Sequence, residues 1–287
     1  MPSPATTAQR MFFTLAILTP MTDAFEKFLA YGNTLLEPKL EEVLAGEGRL
    51  NEAMRYAVLG GGKRFRPFLV LESAKLFDVH QENALNVAVA VELVHCYSLV
   101  HDDLPAMDND DMRRGKPSVH KQFGEATAIL AGDALQSLAF EMLVGEKTEL
   151  TLELARAIGR SGMAGGQQLD LDATADIERV AALKTGALIR FSVLSGAILS
   201  GAEPEDRHAL DVYAQHLGLA FQLSDDILDA AKDVAAGKRT LITKLGIPGA
   251  KDRLEQEARD CGKALEKFGA RARTLQDAAA FMARRAA

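Results

Sequence analysis

The stretch from Val87 to Val100 constrains this chain more than any other feature, because it is apolar on nearly every side yet carries polar residues in a fixed order. A helix that is hydrophobic all round belongs inside a protein core or a bilayer. Glu92, His95, Ser98 and Asp102 follow one another at three- and four-residue steps, so at about 3.6 residues per turn they share one face. The pattern predicts a central helix of a bundle with a polar stripe looking into something polar. A second segment, Gly218 to Ala231, repeats the design with Gln222, Asp225 and Asp229. Two such helices set opposite each other would line a cavity that is acidic at one rim and apolar below.

The rest of the chain agrees with an all-α fold. Ala, Leu and Val recur with helical periodicity, and strictly alternating runs of β-branched residues are nearly absent. Helices are expected over Thr22 to Ala45, Leu50 to Leu59, Pro67 to Leu76, Gln81 to Asp102, Ala126 to Val144, Glu146 to Gly159, Arg179 to Ser200, Glu205 to Asp229, Lys251 to Lys267 and Thr274 to Arg284. Gly60-Gly61-Gly62, Arg114-Gly115-Lys116-Pro117, Gly165-Gly166 and Gly246-Ile247-Pro248-Gly249 read as turns or close backbone approaches between them. With 287 residues, 48% of them hydrophobic, and no long linker, the chain reads as a single domain over residues 21–287.

Residues 1–20 read as an N-terminal extension. Arg10 followed by the run Met11 to Leu18 resembles a weak signal sequence, but the run is too short to cross a bilayer. No membrane span is expected in the remainder. The two cysteines, Cys96 and Cys261, sit in apolar helical stretches as buried free thiols, which fits a reducing cytoplasm. A formal net charge of −7 argues against a broad basic surface for nucleic acid or acidic lipid, so an anionic substrate must be met by local cations.

The chemistry lies in two aspartate clusters, Asp102-Asp103-Leu-Pro-Ala-Met-Asp108 and Asp225-Asp226-Ile-Leu-Asp229. Asp225 and Asp229 lie a turn apart on one face, where like charges repel unless a cation sits between them. Carboxylates in the majority suit a hard divalent ion, and Mg²⁺ held by few protein ligands leaves positions for substrate phosphate oxygens. Asp102 and Asp108 would diverge on a regular helix, but Pro105 breaks the ladder and lets the chain loop Asp108 back. Arg113 and Arg114 follow, able to hold phosphate oxygens bidentately. A second basic set, Lys63, Arg64 and Arg66, comes between the Gly60 to Gly62 turn and Pro67, and can serve another diphosphate. Metal, paired phosphate cations and an apolar channel together suit the ionisation of an allylic diphosphate, capture of the cation by a second double bond, and proton loss to the departed diphosphate. Neither a Ser-His-Asp nor a Cys-His set is evident.

These residues carry a family resemblance. Gly60 to Pro67 (GGGKRFRP), His95 to Arg114 (HCYSLVHDDLPAMDNDDMRR), Phe123 to Leu138 (FGEATAILAGDALQSL), Gly165 to Asp170 (GGQQLD), Lys184-Thr185-Gly186 and Phe221 to Asp229 (FQLSDDILD) resemble the trans-prenyl diphosphate synthases, or polyprenyl synthetases, and specifically the short-chain bacterial farnesyl diphosphate synthases. The resemblance covers nearly everything after Met21. It implies the isoprenoid synthase fold, with about ten helices around a central cavity, and a homodimer. It implies Asp102, Asp108 and Asp225 as ligands of about three Mg²⁺ per site, with Asp103, Asp226 and Asp229 in support. Lys63, Arg66, His95 and Arg114 would hold isopentenyl diphosphate, and Arg113, Lys184, Thr185, Gln222 and Lys238 the allylic diphosphate. Tyr97, with the smaller Ser98 beside it, would form a floor that stops the product at farnesyl length, with geranyl or geranylgeranyl diphosphate as the alternative product. One stretch departs from the pattern: between Asp229 and Lys238 the loop is roughly ten residues short, and Lys238-Arg239-Thr240-Leu241 stands where the family has a Lys-Ser/Thr-Tyr sequence.

Other readings compete. His95 and Tyr97 could be core residues, Gly60 to Gly62 a helix stop, and Lys63 and Arg66 snorkelling surface groups. A terpene cyclase would share the first cluster but needs one diphosphate, leaving Lys63, Arg66, His95 and Arg114 without purpose. His101-Asp102 could begin a metal phosphohydrolase site, yet His80, His120, His208 and His216 lack suitable spacing. An inactive helical partner subunit would not need both acidic clusters with their basic neighbours.

Overall fold

The structure, a computed structural model, describes residues 21–172, 176–235 and 237–286; the expected extension over residues 1–20 lies outside the described residues. The elements run α1 (Met21–Val43), α2 (Arg49–Val58), α3 (Phe65–Lys75), α4 (Gln81–Asp102), a hairpin of β1 (Met112–Arg113) and β2 (Lys116–Pro117), α5 (Val119–Phe123), α6 (Glu125–Glu141), α7 (Thr148–Ile158) and α8 (Met163–Leu171). They continue as α9 (Ile177–Val180), a π-helical turn (Ala181–Gly186), α10 (Ala187–Ser200), α11 (Pro204–Leu228), α12 (Ala230–Ala235), α13 (Leu241–Ala264), a 3₁₀ segment (Glu266–Ala272) and α14 (Arg273–Arg285). Helix dominates, as the periodicity predicts.

α4 is central. Ala84, Val87 to Val94, Cys96, Tyr97 and Val100 are all buried, so this helix has almost no solvent face beyond its first turn. Two apolar cores flank a wall made by α3 and α10. Val70, Leu71 and Ala74 of α3 and Leu188, Phe191 and Ile198 of α10 face the α4 and α6 side. Phe65, Phe68 and Leu69 with Ile189, Val193 and Ala197 face α11, α13 and α14. The wall is thin because of one glycine: a Cβ on Gly196 would lie 2.4 Å from the backbone nitrogen of Ala74. Both α4 and the Ile177–Ser200 run are long and apolar enough to cross a membrane, but 61% and 56% of their most apolar windows are buried within the fold, where they serve as core helices.

The sequence punctuation resolves in three ways. Gly165-Gly166 lies inside α8, a helix the periodicity did not predict, and is the close backbone approach of the two readings given for it. Gly246-Ile247-Pro248-Gly249 breaks the regular helix as expected, since Gly246 is non-helical (φ 68°, ψ 163°), and a further short helical stretch from Leu241 is joined across that kink within α13. Arg114-Gly115 closes the two-residue hairpin with φ of 53° and 76°, the pair of positive values that a type I′ turn requires.

Candidate active site

α4 delivers the first cluster. Its last residue is Asp102, and beyond the Pro105 turn the amide of Asp108 donates to the carbonyl of Asp102 at 2.9 Å, so the loop returns as the sequence implies. Burial, partly offset by Lys184 and reinforced by Asp108, pushes the Asp102 carboxyl up to about 6. Asp103 behaves differently. It is 2% exposed and held by Arg113, whose Nε donates to Oδ1 at 3.0 Å and whose Nη2 donates to the same oxygen. That pairing raises the Arg113 pKa and ties the hairpin to α4.

The polar stripe of α4 divides between two tasks. Glu92 faces no cavity: it is 1% exposed and accepts from Arg64 Nη1 at 2.6 Å. Arg64 also donates to Glu37 at 2.8 Å and to the carbonyl of Val58 at 2.8 Å, from a left-handed backbone (φ 50°) at the start of α3. The middle cation of the basic set is therefore a buried pin between Lys63 and Arg66. Lys63 before it points to solvent, and Arg66 after it has a buried Nε with no partner and stacks over Phe221 at 5.6 Å. Arg114 donates to the carbonyl of Gly61, and its guanidinium lies where a Cβ on Gly62 would sit, 2.9 Å away. His95 is enclosed by these groups. Burial, then Arg66, Arg114, Arg64 and Arg113, hold its pKa well below 6.5, so the ring is neutral.

Tyr97 is buried against His101, ring edge to face at 5.9 Å, and Ser98 donates to the His95 carbonyl at 2.9 Å. Tyr97 thus fills core volume five residues before Asp102. His101 turns away: its Nε2 donates to the Ile129 carbonyl at 3.1 Å, in a space left by Gly132, and this removes the His-Asp hydrolase arrangement.

The second cluster ends α11. Gln222 accepts from Thr185 Oγ1 at 2.7 Å and donates to Asp226 at 2.7 Å. Asp226, 5% exposed, also receives the Leu241 amide at 2.7 Å and so fixes the start of α13 after the shortened loop. Lys184 donates to Asp170 at 2.7 Å. Lys184, which faces Asp102 electrostatically, and Thr185 lie side by side on the π turn, so they join the first cluster to the second through Gln222. Arg66 provides another link, since it senses both Arg114 and Asp225. Lys238 is exposed, its amide bonded to the Asp233 carbonyl at 2.9 Å, and nothing here draws its ammonium into the cluster.

Sequence reasoning missed Arg285. From the last turn of α14 it donates to Asp225 and, at 2.6 Å, to Ser224 Oγ, while stacking over Phe221 at 5.3 Å. Its only sequence signal was a pair of adjacent arginines near the end of an amphipathic helix, which reads as an ordinary basic C-terminal turn. Asp170 was likewise inside a quoted motif without a role.

Among the described residues no group of three or more His, Cys, Asp or Glu side chains converges on a point. Asp108 and Asp229 lie near enough to raise the pKa of Asp102 and Asp225 respectively. Two-carboxylate pairs with the remaining positions left to substrate oxygens fit Mg²⁺. The expected apolar channel is less direct. A groove of about 700 Å³ between α7, α10 and α11 is lined by Leu183, Ala187, Phe191 and Leu219, but neither aspartate cluster nor Tyr97 reaches its wall.

The polyprenyl synthetase family model matches residues 47–243. The chain belongs to that family of trans-prenyltransferases. A farnesyl diphosphate synthase of Geobacillus stearothermophilus is 40% identical over 80% of this chain and 87% of its own, and one of Escherichia coli is 51% identical over 66% and 69%. A chloroplastic geranylgeranyl pyrophosphate synthase of Capsicum annuum is 42% identical over 77% of this chain and 67% of its own. In three dimensions, the apo FPP/GFPP synthase of Zymomonas mobilis superposes with a TM-score of 0.85 at 41% identity, over 92% of this chain and all of that one. The polyprenyl synthetase match spans both aspartate clusters and every basic residue of the site except Arg285, which lies beyond it.

Proposed function

We propose that this chain condenses isopentenyl diphosphate with dimethylallyl or geranyl diphosphate to give farnesyl diphosphate. The observation that carries the reading is the double set: two carboxylate pairs, each beside its own arginines, joined through Lys184, Thr185 and Gln222. One diphosphate would not need both basic sets.

Asp102, Asp108 and Asp225 would hold Mg²⁺, which would supply neutralisation of the charge developing on the leaving diphosphate. Lys184 and Arg113 orient that group. Arg66, Arg114, His95 and Lys63 hold the second diphosphate, and the neutral His95 contributes a hydrogen bond where a further positive charge would be repelled. The allylic C–O bond breaks with its electron pair leaving on the diphosphate. The double bond of the isopentenyl unit then forms the new C–C bond, and the proton lost passes to the departed diphosphate. The Thr185–Gln222 bond fixes polar oxygens beside this path, and the surrounding apolar helices keep water out. Tyr97 limits growth.

The chain acts as a cytoplasmic homodimer in this reading. Ile129 and Leu130 of α6, 45% and 56% exposed, and Val144, 80% exposed, supply the apolar face that a second copy covers. The test is product chromatography of the purified chain with Mg²⁺, isopentenyl diphosphate and dimethylallyl diphosphate. Farnesyl diphosphate as the main product supports the assignment. Hydrocarbon formed without isopentenyl diphosphate would replace it with a cyclase, and a geranylgeranyl product would remove Tyr97 as the floor.

A further inference from the structure

The second aspartate cluster has a cation already in place. Asp225 receives Nη2 of Arg285, whose Nε donates to Ser224 at 2.6 Å, so the guanidinium is fastened at two adjacent residues of α11. The Arg285 side chain is 12% exposed and lies 5.3 Å from the Phe221 ring, which Arg66 also covers at 5.6 Å. α14 is itself anchored against α11 deeper in the fold, where Tyr213 donates to the Leu275 carbonyl at 2.7 Å and Ser224 to the Met282 carbonyl at 3.1 Å. The arginine therefore reaches Asp225 from a braced helix and not from a loose tail.

Electrostatics give the arrangement its meaning. Asp225 is a partly buried carboxylate in a cluster with Asp226 and Asp229, and its side chain is ion-paired to Arg285. Removing a metal from such a group without a substitute would leave a desolvated charge pair. We propose that Arg285 is a positioning residue that serves as the resident counter-cation of Asp225: it holds Oδ1 of the carboxylate in the metal-free enzyme and must yield that oxygen before a divalent ion takes it. This rests on the assignment of Asp225 as a ligand in the prenyl-transfer reading. Loading the second cluster then releases the end of α14 beside Arg66 and Phe221, coupling metal binding to a movement of the C-terminal turn. Two cations competing for one carboxylate are linked reciprocally, so the arginine weakens metal binding by the factor by which metal weakens its own bond.

The experiment measures Mn²⁺ binding to the full-length protein without substrate, by the loss of the free-ion EPR signal. Arg285→Ala should bind Mn²⁺ about tenfold more tightly than wild type, within the usual range of coupling between two sites. Arg285→Lys, which keeps a charge but loses the two-pronged contact, should fall between them. In an Asp225→Asn background the Arg285→Ala effect should disappear. The metal-free Arg285→Ala protein should melt below wild type and recover when Mn²⁺ is added. Unchanged or weaker Mn²⁺ binding by Arg285→Ala, or an effect that persists in Asp225→Asn, overturns the proposal, since a purely structural arginine would not improve metal affinity when removed. Wild-type protein that binds Mn²⁺ but never joins the two diphosphates refutes the proposed function instead, and leaves the order of the variants to be read on its own.

Discussion

Gly166 offers the sharpest test of how the site is held. It sits inside α8, and a Cβ built on it would lie 2.3 Å from the backbone nitrogen of Lys184 and 2.8 Å from the carbonyl carbon of Leu183. Ordinary van der Waals contact begins near 3.4 Å, so alanine demands a separation of about 1 Å more between α8 and the π turn. The clashing atoms are main chain, and no rotamer change can absorb them. The same two elements carry the Asp170–Lys184 ion pair, so they cannot part without carrying Lys184 away from the first cluster.

Overpacking of this kind costs about 1–3 kcal/mol of stability. The effect on rate should be larger, because a displacement of about 1 Å at a positioned group can cost about 10²-fold. Gly166→Ala should therefore lower kcat about a hundredfold while remaining folded. Two other glycines serve as controls: at Gly186 an added Cβ meets only the Ala181 carbonyl at 3.5 Å, and at Gly262 it meets nothing within 4 Å. Gly186→Ala should keep its stability. Gly262→Ala, in the last turn of α13, should gain about 0.5–1 kcal/mol from reduced chain entropy. Steady-state kinetics and urea unfolding on the three variants decide the matter. A Gly166→Ala enzyme with wild-type kcat and midpoint would refute the idea that backbone contact between α8 and the π turn sets the position of Lys184.

Three further outcomes are expected. Glu92→Ala strands the buried Arg64 guanidinium and should cost about 3–5 kcal/mol in urea unfolding, whereas a loss within about 1 kcal/mol would mean that Glu37 alone suffices. His95 has a folded pKa depressed below 6.5, so the unfolded chain takes up a proton first as pH falls; stability from this residue is present above 6.5 and is lost on acidification. Wild type and His95→Gln should accordingly unfold alike at pH 7.5 apart from a constant offset, with wild type losing ground to the variant by pH 5, and parallel curves would contradict a cation-ringed neutral imidazole. Tyr97→Ala should lengthen the main product by at least one isoprene unit on chromatography; products no longer than the parent's would show that another wall ends growth.

What the sequence disclosed and what it hid follow from how far apart the cooperating groups lie along the chain. The stripe on α4 and the Asp225, Asp229 spacing are local, set by helical period, and Pro105 foretold the return of Asp108 because a missing amide hydrogen is a local fact. Glu92 shared that stripe and was assigned to the cavity with it, but its partner is Arg64, and no periodicity distinguishes a carboxylate facing substrate from one facing a buried guanidinium. The same ambiguity hid α8, since glycine is a breaker when a chain must turn and a spacer when two backbones must touch. Arg285 was the hardest to see, because its meaning depends on a contact spanning 60 residues between the ends of two helices. The metal-free second cluster is therefore completed by a residue outside the motifs that define it. Substitutions confined to those motifs would miss the group that competes with the metal, and a chain shortened by its last turn should bind the ion more readily while melting earlier without it.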